Sequence, residues 1–255
     1  TCDHASEWVP IRPGTDAALM MSMCHVIFKE GLDSLGNLAG KVAGLDRMRE
    51  LTEAWTPQRV ESTCGIPAET IERLARDLAT AERAAVYARI GTCNQEFGTL
   101  ASWLTDVLNV ITGNMDREGG AMFGKPIAWS LLNLPDPQYS EGFSFGRWKS
   151  RVSGYPEVLG QFPVSCLAEE IATPGEGQIK GLIVIAGNPV ISSPEADKLE
   201  AVLPELDCLI AIDLYINETS CHADVIFPAL SPLEQPHYDE LIWSWAVRSG
   251  GNFSA

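Results

Sequence analysis

The sequence lacks closely spaced cysteines and has few histidines, so it gives little support to a structural metal site. Its cysteine total is 7, its histidine total is 4, and no C-x-x-C spacing occurs. Cys2 with His4, or Cys221 with His222, falls short of the four convergent ligands that structural zinc needs. Scattered cysteines are typical of reduced thiols that pack as small core residues. The sequence therefore predicts no metal ligand and a reducing, cytoplasmic compartment.

Positive charge and long hydrophobic runs are also scarce. Asp and Glu number 34 against 18 Lys and Arg, which gives a net charge of −16. An acidic chain without a basic cluster is a poor match for nucleic acid or an anionic membrane surface. The longest apolar stretch, 17–28, is too short to span a bilayer and contains Ser22, Cys24 and His25. We therefore expect no nucleic-acid partner, no membrane span and no recognisable targeting signal at the first residues.

Several short motifs of phosphate binding and catalysis are missing. No G-x-x-x-x-G-K-[ST] loop occurs, and no G-x-G-x-x-G follows a strand pattern. The nucleophile elbow G-x-S-x-G and the zinc-binding H-E-x-x-H are absent too. These absences argue against a nicotinamide dehydrogenase, and the residues by themselves indicate no catalytic group.

The patterns that are present in the first 120 residues are mainly helical. With 255 residues, 45% of them hydrophobic, the chain can build a sizeable core. Thr15 is predicted to be the hydroxyl N-cap of the first helix, which a tight turn at Pro13 and Gly14 precedes. The predicted elements are a helix over 16–28, a helix after Pro67, a strand over 84–90, a loop over 91–98 and a helix over 99–112.

The remaining residues divide into a connecting stretch and a second lobe. Residues 121–160 are rich in Gly, Pro and aromatics, which favours a functional connecting loop whose rings pack against something. The aliphatic runs GLIVIAG and CLIAI in 161–255 are typical of parallel strands buried on both faces. The predicted elements there are strands over 179–186, 208–212 and 223–227, a helix capped by Ser193 and a helical turn over 216–221. The fold prediction is α/β, three-layer, with mostly parallel sheets in two incomplete Rossmann-like lobes, 1–120 and 161–255.

Polar residues follow two of the predicted strands directly. Asn188 stands at the end of the first strand and Asp213 at the end of the second. Ligands of open α/β sheets bind beyond the carboxyl ends of the strands, and an Asp carboxylate suits the N–H and amino edge of a guanine. This pair favours a nucleotide-like ligand. Simpler alternatives stay open: an Asx turn at Asn188, helix caps at Asp213 and at Thr15 with Asp16, and an ordinary polar loop residue at Asn94.

Four stretches, taken in order, carry a resemblance to a known family. They are IRPGTDAALMMSM at 11–23, RIGTCNQEFGTLASWLTDVLNVITGNMDREGGAMF at 89–123, GLIVIAGNPVISSP at 181–194 and CLIAIDLYINETSCHADVIFPALSPLE at 208–234. This ordered set resembles the molybdopterin oxidoreductases that carry a molybdenum bis(molybdopterin guanine dinucleotide) centre, the group of formate dehydrogenases, nitrate reductases and dimethyl sulfoxide reductase. The segment 147–171 is similar to one branch of that family.

The resemblance implies a set of cofactor-binding residues and no catalytic residue in this chain. The family often has Gln then His where this chain has Asn94 and Gln95, and Glu then Lys or Arg where it has Glu234 and Gln235. The implied contacts are Gly14, Thr15 and Asp16 to one guanine nucleotide, Ile90, Gly91 and Asn94 to a pterin, and Asn188, Ile212 and Asp213 to the other nucleotide, with Asp16 and Asp213 binding the guanine bases.

The resemblance also implies that the chain is the central part of a larger molybdenum-dependent oxidoreductase. We expect the remaining domains to supply a [4Fe–4S] cluster and the molybdenum ligand, because no cysteine cluster with the required spacing occurs here. The implied partners are those N- and C-terminal domains, a small-molecule substrate and an electron-transfer subunit. The isolated fragment is then expected to be inactive. The alternative is a stand-alone module that binds a guanine nucleotide or pterin, or assists assembly, without catalysis.

Overall fold

The structure is a computed structural model, which describes residues 2–123, 145–231, 233–239 and 252–254. The chain divides into two compact units, Thr1–Gly124 and Lys125–Ala255. The described residues mix helices with a parallel sheet, which confirms the α/β part of the predicted fold. None of the described helices combines the length and the apolar content that a membrane crossing requires.

The described part of the first unit is helical. Its first helix, Asp16–Lys29, packs against four of the others, so Cys24 and Ile27 are fully buried. Burial raises the pKa of the Cys24 thiol to about 12, so the thiol stays neutral and packs as a small apolar group. The helices are α1 Asp16–Lys29, α2 Leu45–Thr52, α3 Pro57–Cys64, α4 Ala68–Thr80, α5 Ile90–Cys93 and α6 Gly98–Ile111, with short 3-10 helices at Cys2–His4 and Gly36–Leu38.

The prediction of a strand over 84–90 is wrong. Among residues 2–123 no β-strand is formed, and Ile90 is the first residue of α5. The buried side chain of Asn109 replaces a neighbouring strand: its Oδ1 accepts from Val86 N at 2.8 Å and its Nδ2 donates to Val86 O at 2.9 Å. A strand needs a partner backbone, and at Val86 a side-chain amide takes that place.

The described part of the second unit contains the parallel sheet. Three strands pair side by side in this sheet, with Ile185 opposite Ile212 and Ile212 opposite Phe227. The strands predicted over 179–186, 208–212 and 223–227 are therefore confirmed. The elements are strands β1 Phe145–Lys149, β2 Pro156–Val158, β3 Gly181–Ile185, β4 Cys208–Asp213, β5 Val225–Pro228, β6 His237–Asp239 and β7 Asn252–Ser254, helices α7 Leu167–Ala172, α8 Pro189–Ser192 and α9 Ala196–Val202, and 3-10 helices Val164–Cys166, Leu203–Glu205 and Ser220–His222.

The two faces of this sheet differ in burial. One face carries Leu209 and Ala211, which are both 1% exposed, and Leu209 belongs to one buried cluster with Ile171 of α7 and Leu199 of α9. The opposite face carries Ile183, Ile185 and Phe227, which are 60%, 68% and 54% exposed. The sequence predicted that both faces of the sheet are buried. Within the described residues of this unit one face is buried and the other is exposed, although the residues of both faces are apolar.

Two further predictions in this unit need correction. Ser193 caps no helix: it follows α8 in an extended conformation, and α9 begins only at Ala196. The N-cap position of α9 is held by Glu195 in a left-handed conformation (φ 58°, ψ 44°), and Pro189, whose fixed φ suits a first helical position, starts the separate helix α8. In the aromatic stretch, Trp129, Tyr139 and Phe143 lie outside the described residues, and Phe145, Trp148 and Tyr155 are at least 45% exposed rather than packed.

Candidate functional site

The first group of predicted site residues lies where α1 begins. Gly14 has a φ of +81°, a left-handed conformation that glycine adopts without strain, and it turns the chain into the helix. Arg12 anchors this turn, because its Nη1 donates to Ser62 O at 2.9 Å and Thr63 O at 2.8 Å in the last turn of α3. A cation suits the C-terminal carbonyls of a helix. Arg12 was not predicted from the sequence.

Removing this anchor is expected to loosen the turn. Arg12→Met keeps the aliphatic stem but loses both hydrogen bonds, so we expect the free energy of unfolding to fall by about 1 kcal/mol. Urea unfolding of the chain measures this change. Arg47→Met is the control, because Arg47 is exposed and its ion pair is with Glu50, three residues along the same helix; an equal loss in both variants would contradict the anchoring role.

Thr15 occupies the predicted N-cap position of α1, but it does not cap the helix. No backbone N–H of α1 reaches its side chain. Its Oγ1 instead donates to Arg12 O at 2.6 Å. The hydroxyl therefore closes the turn in front of the helix. The N-cap hydrogen bond predicted for Thr15 is wrong, because the Thr15 backbone (φ −115°, ψ 12°) lies outside the extended region that an N-cap residue adopts.

Asp16 connects this turn to the second predicted group of residues. Gln95 Nε2 donates to Asp16 Oδ2 at 2.9 Å and also to Thr92 O at 3.0 Å. The tertiary structure thus brings together residues 12–16 and residues 90–98, which we call the loop pair. Ile90 and Asn94, predicted from the resemblance, are exposed members of the second loop. Gln95, rather than Asn94, makes the contact between the loops.

The second candidate site is a cleft at the carboxyl ends of β3 and β4. The strand-end cleft has a volume of about 570 Å³. The predicted residues Asn188, Ile212 and Asp213 all line it, as does Gln235. They meet here because β3 and β4 run parallel, so that both carboxyl ends reach the same edge of the sheet. The cleft is lined by 185–188, 212–214, Asn217, 229–230 and Gln235.

Asn188 uses both polar atoms of its side chain inside the protein. Its Nδ2 donates to Glu218 Oε2 at 2.7 Å, and its Oδ1 accepts from Thr219 Oγ1 at 2.8 Å. Neither the Asx turn nor a side-chain cap of α8 forms. Asn188 therefore joins the end of β3 to the connection between β4 and β5.

The contact with Asn188 also fixes the charge of Glu218. The hydrogen bond from the Asn188 amide lowers the pKa of Glu218 below its ordinary value. The ionised carboxylate accepts this bond, so the contact is present above the ordinary Glu pKa and is lost as the pH falls through the lowered value. At neutral pH this edge of the sheet carries an ionised Glu218.

Thr219 is the residue that connects the two strand ends. Its side chain is 1% exposed, and its Oγ1 accepts from Val190 N at 3.1 Å while donating to Asn188. Its backbone N–H donates to Asn217 Oδ1 at 3.0 Å. Asn217 in turn donates from Nδ2 to Asp213 Oδ2 at 3.0 Å. A continuous set of hydrogen bonds thus runs from Asn188 to Asp213.

The carboxylate of Asp213 keeps acceptor capacity in this arrangement. Its Oδ1 accepts from Leu214 N at 2.6 Å and its Oδ2 accepts from Asn217. It does not cap the following 3-10 helix, because Asn217 Oδ1 takes the N–H groups of Thr219 and Ser220. A carboxylate has about four acceptor positions, so Asp213 can accept further hydrogen bonds from a ligand in the cleft.

Most of the hydrogen bonds that hold Asn188 and Asp213 come from residues that were not predicted from the sequence. Asn217, Glu218 and Thr219 had a signal, since the element that resembles D-x-x-x-x-E-T begins at Asp213 and includes the last two. Arg12 and Gln95 lie within the stretches 11–23 and 89–123 that carry the resemblance, but nothing local predicted their hydrogen-bond partners, which are distant in sequence. Glu234 accepts from Ser231 N at 2.8 Å, which lowers its pKa and engages it in its own turn.

The described residues include no group of three or more His, Cys, Asp or Glu side chains that could hold a metal ion. The polar side chains that line the strand-end cleft are three amides and the carboxylate of Asp213, which stand beside aliphatic residues. Such groups recognise the hydrogen-bonding edges of an organic ligand.

The family model and the similar proteins described below agree on one family. The family model described as "Molybdopterin oxidoreductase" matches residues 1–238. The F420-dependent formate dehydrogenase subunit alpha of Methanocaldococcus jannaschii is 28% identical over 244 residues, which cover 90% of this chain and 35% of that protein. The thiosulfate reductase molybdopterin-containing subunit of Salmonella typhimurium is 26% identical over 249 residues, covering 91% of this chain and 32% of that protein.

A solved structure shares the fold. Acetylene hydratase from Pelobacter acetylenicus matches with a TM-score of 0.77 and 21% identity over 100% of this chain and 38% of that one. The chain therefore spans about a third of the length of the proteins it matches.

Proposed function

Because the chain belongs to the molybdopterin oxidoreductase family, we propose that it is the central cofactor-binding part of a larger molybdenum-dependent oxidoreductase. In this proposal the loop pair and the strand-end cleft each hold one guanine nucleotide of a bis(molybdopterin guanine dinucleotide) centre. The strand-end cleft carries the proposal, since it combines an open volume of about 570 Å³ with Asp213. The Asp213 carboxylate suits the donor edge of a guanine, which presents a ring N–H beside an amino group.

The residues present fit the organic part of such a cofactor. At the strand-end cleft, Asp213 would accept from the base, while Asn217 and Thr219 would hold Asp213 and Asn188 in place. At the loop pair, Asp16 would accept from the other base, and the exposed Ile90 and Gly91 would face the pterin. When bound, the molybdenum centre supplies two-electron redox chemistry, and the chain's own residues bind and orient its nucleotides.

The finer fold is part of the same proposal. Parallel sheets are ordinarily covered on both faces, and the exposed face of β3, β4 and β5 is apolar. We propose that polypeptide of the larger enzyme covers this face, which completes a three-layer Rossmann-like lobe over 161–255. Residues 1–120 would belong to the other lobe, and 121–160 would connect the two.

The remaining properties of the larger enzyme are proposals of the same kind. The chain spans about a third of its relatives' length, so further domains would supply a [4Fe–4S] cluster and the molybdenum ligand. The enzyme would act on a small-molecule substrate, with an electron-transfer subunit as partner, in the cytoplasm. The isolated chain would bind nucleotide without turnover.

The metal and cofactor content of the full-length protein tests the enzyme proposal. We expect molybdenum, iron and a fluorescent pterin after release from protein produced with sufficient cofactor supply. Full-length protein that holds pterin or guanine nucleotide but no molybdenum would instead support a binding module. Protein that holds none of them would overturn both.

A substitution at Asp213 tests the proposed guanine contact. Asp213→Ala is expected to weaken binding of guanosine diphosphate to the chain about tenfold, because a charged acceptor in a partly enclosed site is lost. Calorimetric titration measures the change. Asp207→Ala is the matched control, since Asp207 is exposed and precedes the opposite end of the same strand; equal affinity of the two variants would contradict the assignment.

A further inference from the structure

One buried polar atom in the loop pair has no partner. Gln95 Oε1 is excluded from solvent and accepts no hydrogen bond among the described residues. A buried carbonyl oxygen without a donor costs free energy, and native proteins satisfy most such groups with protein, water or ligand. The atom therefore marks a place where a donor is missing.

The amide of Gln95 cannot turn to remove this cost. Its two N–H groups are held by Asp16 Oδ2 and Thr92 O. Reversing the amide would place Oε1 against the Asp16 carboxylate, where two acceptors repel each other. The orientation of the amide is therefore determined by its surroundings.

The backbone around Gln95 is equally constrained. Gln95 N donates to Cys93 O at 2.9 Å, and Gly98 N donates to Gln95 O at 3.1 Å. A Cβ added to Gly98 would lie only 2.0 Å from Cys93 O, so the loop closes tightly on itself. A donor that satisfies Oε1 must then come from outside this loop.

The neighbouring turn leaves space for such a donor. A Cβ added to Gly14 would have Gln95 Oε1 as its nearest neighbour, at 3.8 Å. Because Gly14 has no side chain, this position beside the solvent-excluded Oε1 is left free for a ligand donor. Asp16, held by the same amide, adds a carboxylate beside it, so the loop pair offers two neighbouring acceptors, Asp16 and Gln95 Oε1.

We propose that Asp16 and Gln95 Oε1 together accept hydrogen bonds from the 2-amino-4-oxopyrimidine edge of a ligand. This edge presents a ring N–H next to an amino group, and it is common to guanine and to pterin, whereas adenine lacks it. Gln95 is then both a ligand contact and the positioning residue for Asp16. The inference rests on the proposed function, which it extends by naming the second acceptor at the loop pair.

The test uses three probes whose donor groups differ. Guanosine diphosphate has the complete edge, inosine diphosphate lacks the 2-amino group, and 6-carboxypterin carries the edge on a pterin ring. Each is titrated calorimetrically into the chain, wild type and Gln95→Met. The matched control is Gln58→Met, because the exposed Gln58 also donates to a carboxylate, that of Glu72, at 3.1 Å.

Each outcome decides the inference. A roughly tenfold loss of guanosine diphosphate affinity in Gln95→Met, with inosine diphosphate little changed, assigns the edge to guanine; the same loss confined to 6-carboxypterin assigns it to pterin. Unchanged affinity for both overturns the inference and leaves the proposed function standing. Wild-type chain that binds none of the probes overturns the nucleotide-binding proposal and the inference together.

A second variant covers the case in which Gln95→Met does not fold. Gln95→Asn keeps an amide but shortens the side chain by one carbon, so we expect it to lose the same contact. Thermal unfolding without ligand, compared with Gln58→Met, separates a general loss of stability from a loss of binding. A role confined to folding would lower the unfolding temperature and leave the ratio of guanosine to inosine diphosphate affinity unchanged.

Discussion

Replacing Thr219 with valine is expected to lower the free energy of unfolding of the second unit by about 3 kcal/mol. Valine has nearly the same shape, so the change removes the hydroxyl and little else. Val190 N–H and Asn188 Oδ1 then lose their partner at a position that is 1% exposed. Each buried group without a partner costs about 1–3 kcal/mol. Guanidinium unfolding followed by circular dichroism measures the loss.

Thr219→Ser separates the hydroxyl from the methyl group. Serine keeps both hydrogen bonds and loses one buried methyl, so we expect a cost of about 1 kcal/mol. Guanosine diphosphate binding is expected to follow the same order, with the valine variant weaker than the serine variant, because Thr219 connects Asn188 with the residues that hold Asp213. If valine were as well tolerated as serine, the hydrogen bonds of Thr219 would not organise the strand-end cleft.

Replacing Asn109 with leucine is expected to lower the free energy of unfolding of the first unit by about 4 kcal/mol. Asn109 is 2% exposed and makes three hydrogen bonds, to Val86 N, Val86 O and Thr105 O. Leucine fills a similar volume but leaves the backbone of Val86 without a partner. Because this side chain replaces a strand, its loss is expected to free the whole segment 84–89.

Hydrogen exchange at the Val86 amide tests this expectation directly. In the wild type the amide is expected to exchange slowly, and in Asn109→Leu at the rate of a locally open segment. Asn37→Leu is the matched control: Asn37 is exposed and makes one hydrogen bond, to Asp116 O, so we expect a cost below about 1 kcal/mol. Slow exchange retained at Val86 in Asn109→Leu would show that other contacts hold the segment.

Both substitutions concern amide or hydroxyl side chains that act on backbone groups far away in the sequence. Asn109 binds a segment 23 residues earlier, and Thr219 binds one 29 residues earlier. Gln95 also reaches far along the chain, since its amide donates to the Asp16 carboxylate across 79 residues. The segments that these three residues hold are therefore organised by uncharged polar side chains as well as by charged ones.

The sequence by itself determined the elements whose pattern is local. Apolar spacing predicted the helix that forms at Asp16–Lys29, and continuous aliphatic runs predicted the parallel strands β3 and β4. It also placed Asn188 and Asp213 at one edge of the sheet, because parallel strands must present their carboxyl ends together. These features follow from interactions among residues close in the chain and from the parallel direction of the two strands.

Only the tertiary structure decided how the polar groups of those elements are used. Residues 84–90 have a strand pattern, yet Asn109 rather than a second strand pairs with them. The sequence predicted no protein partner for the Asn188 side chain. In the structure, Glu218 and Thr219 form hydrogen bonds with both of its polar atoms. Gln95, not Asn94, joins the loop pair. Each outcome depends on which distant donor or acceptor comes within about 3 Å, and that distance is set by the packing of whole helices and strands.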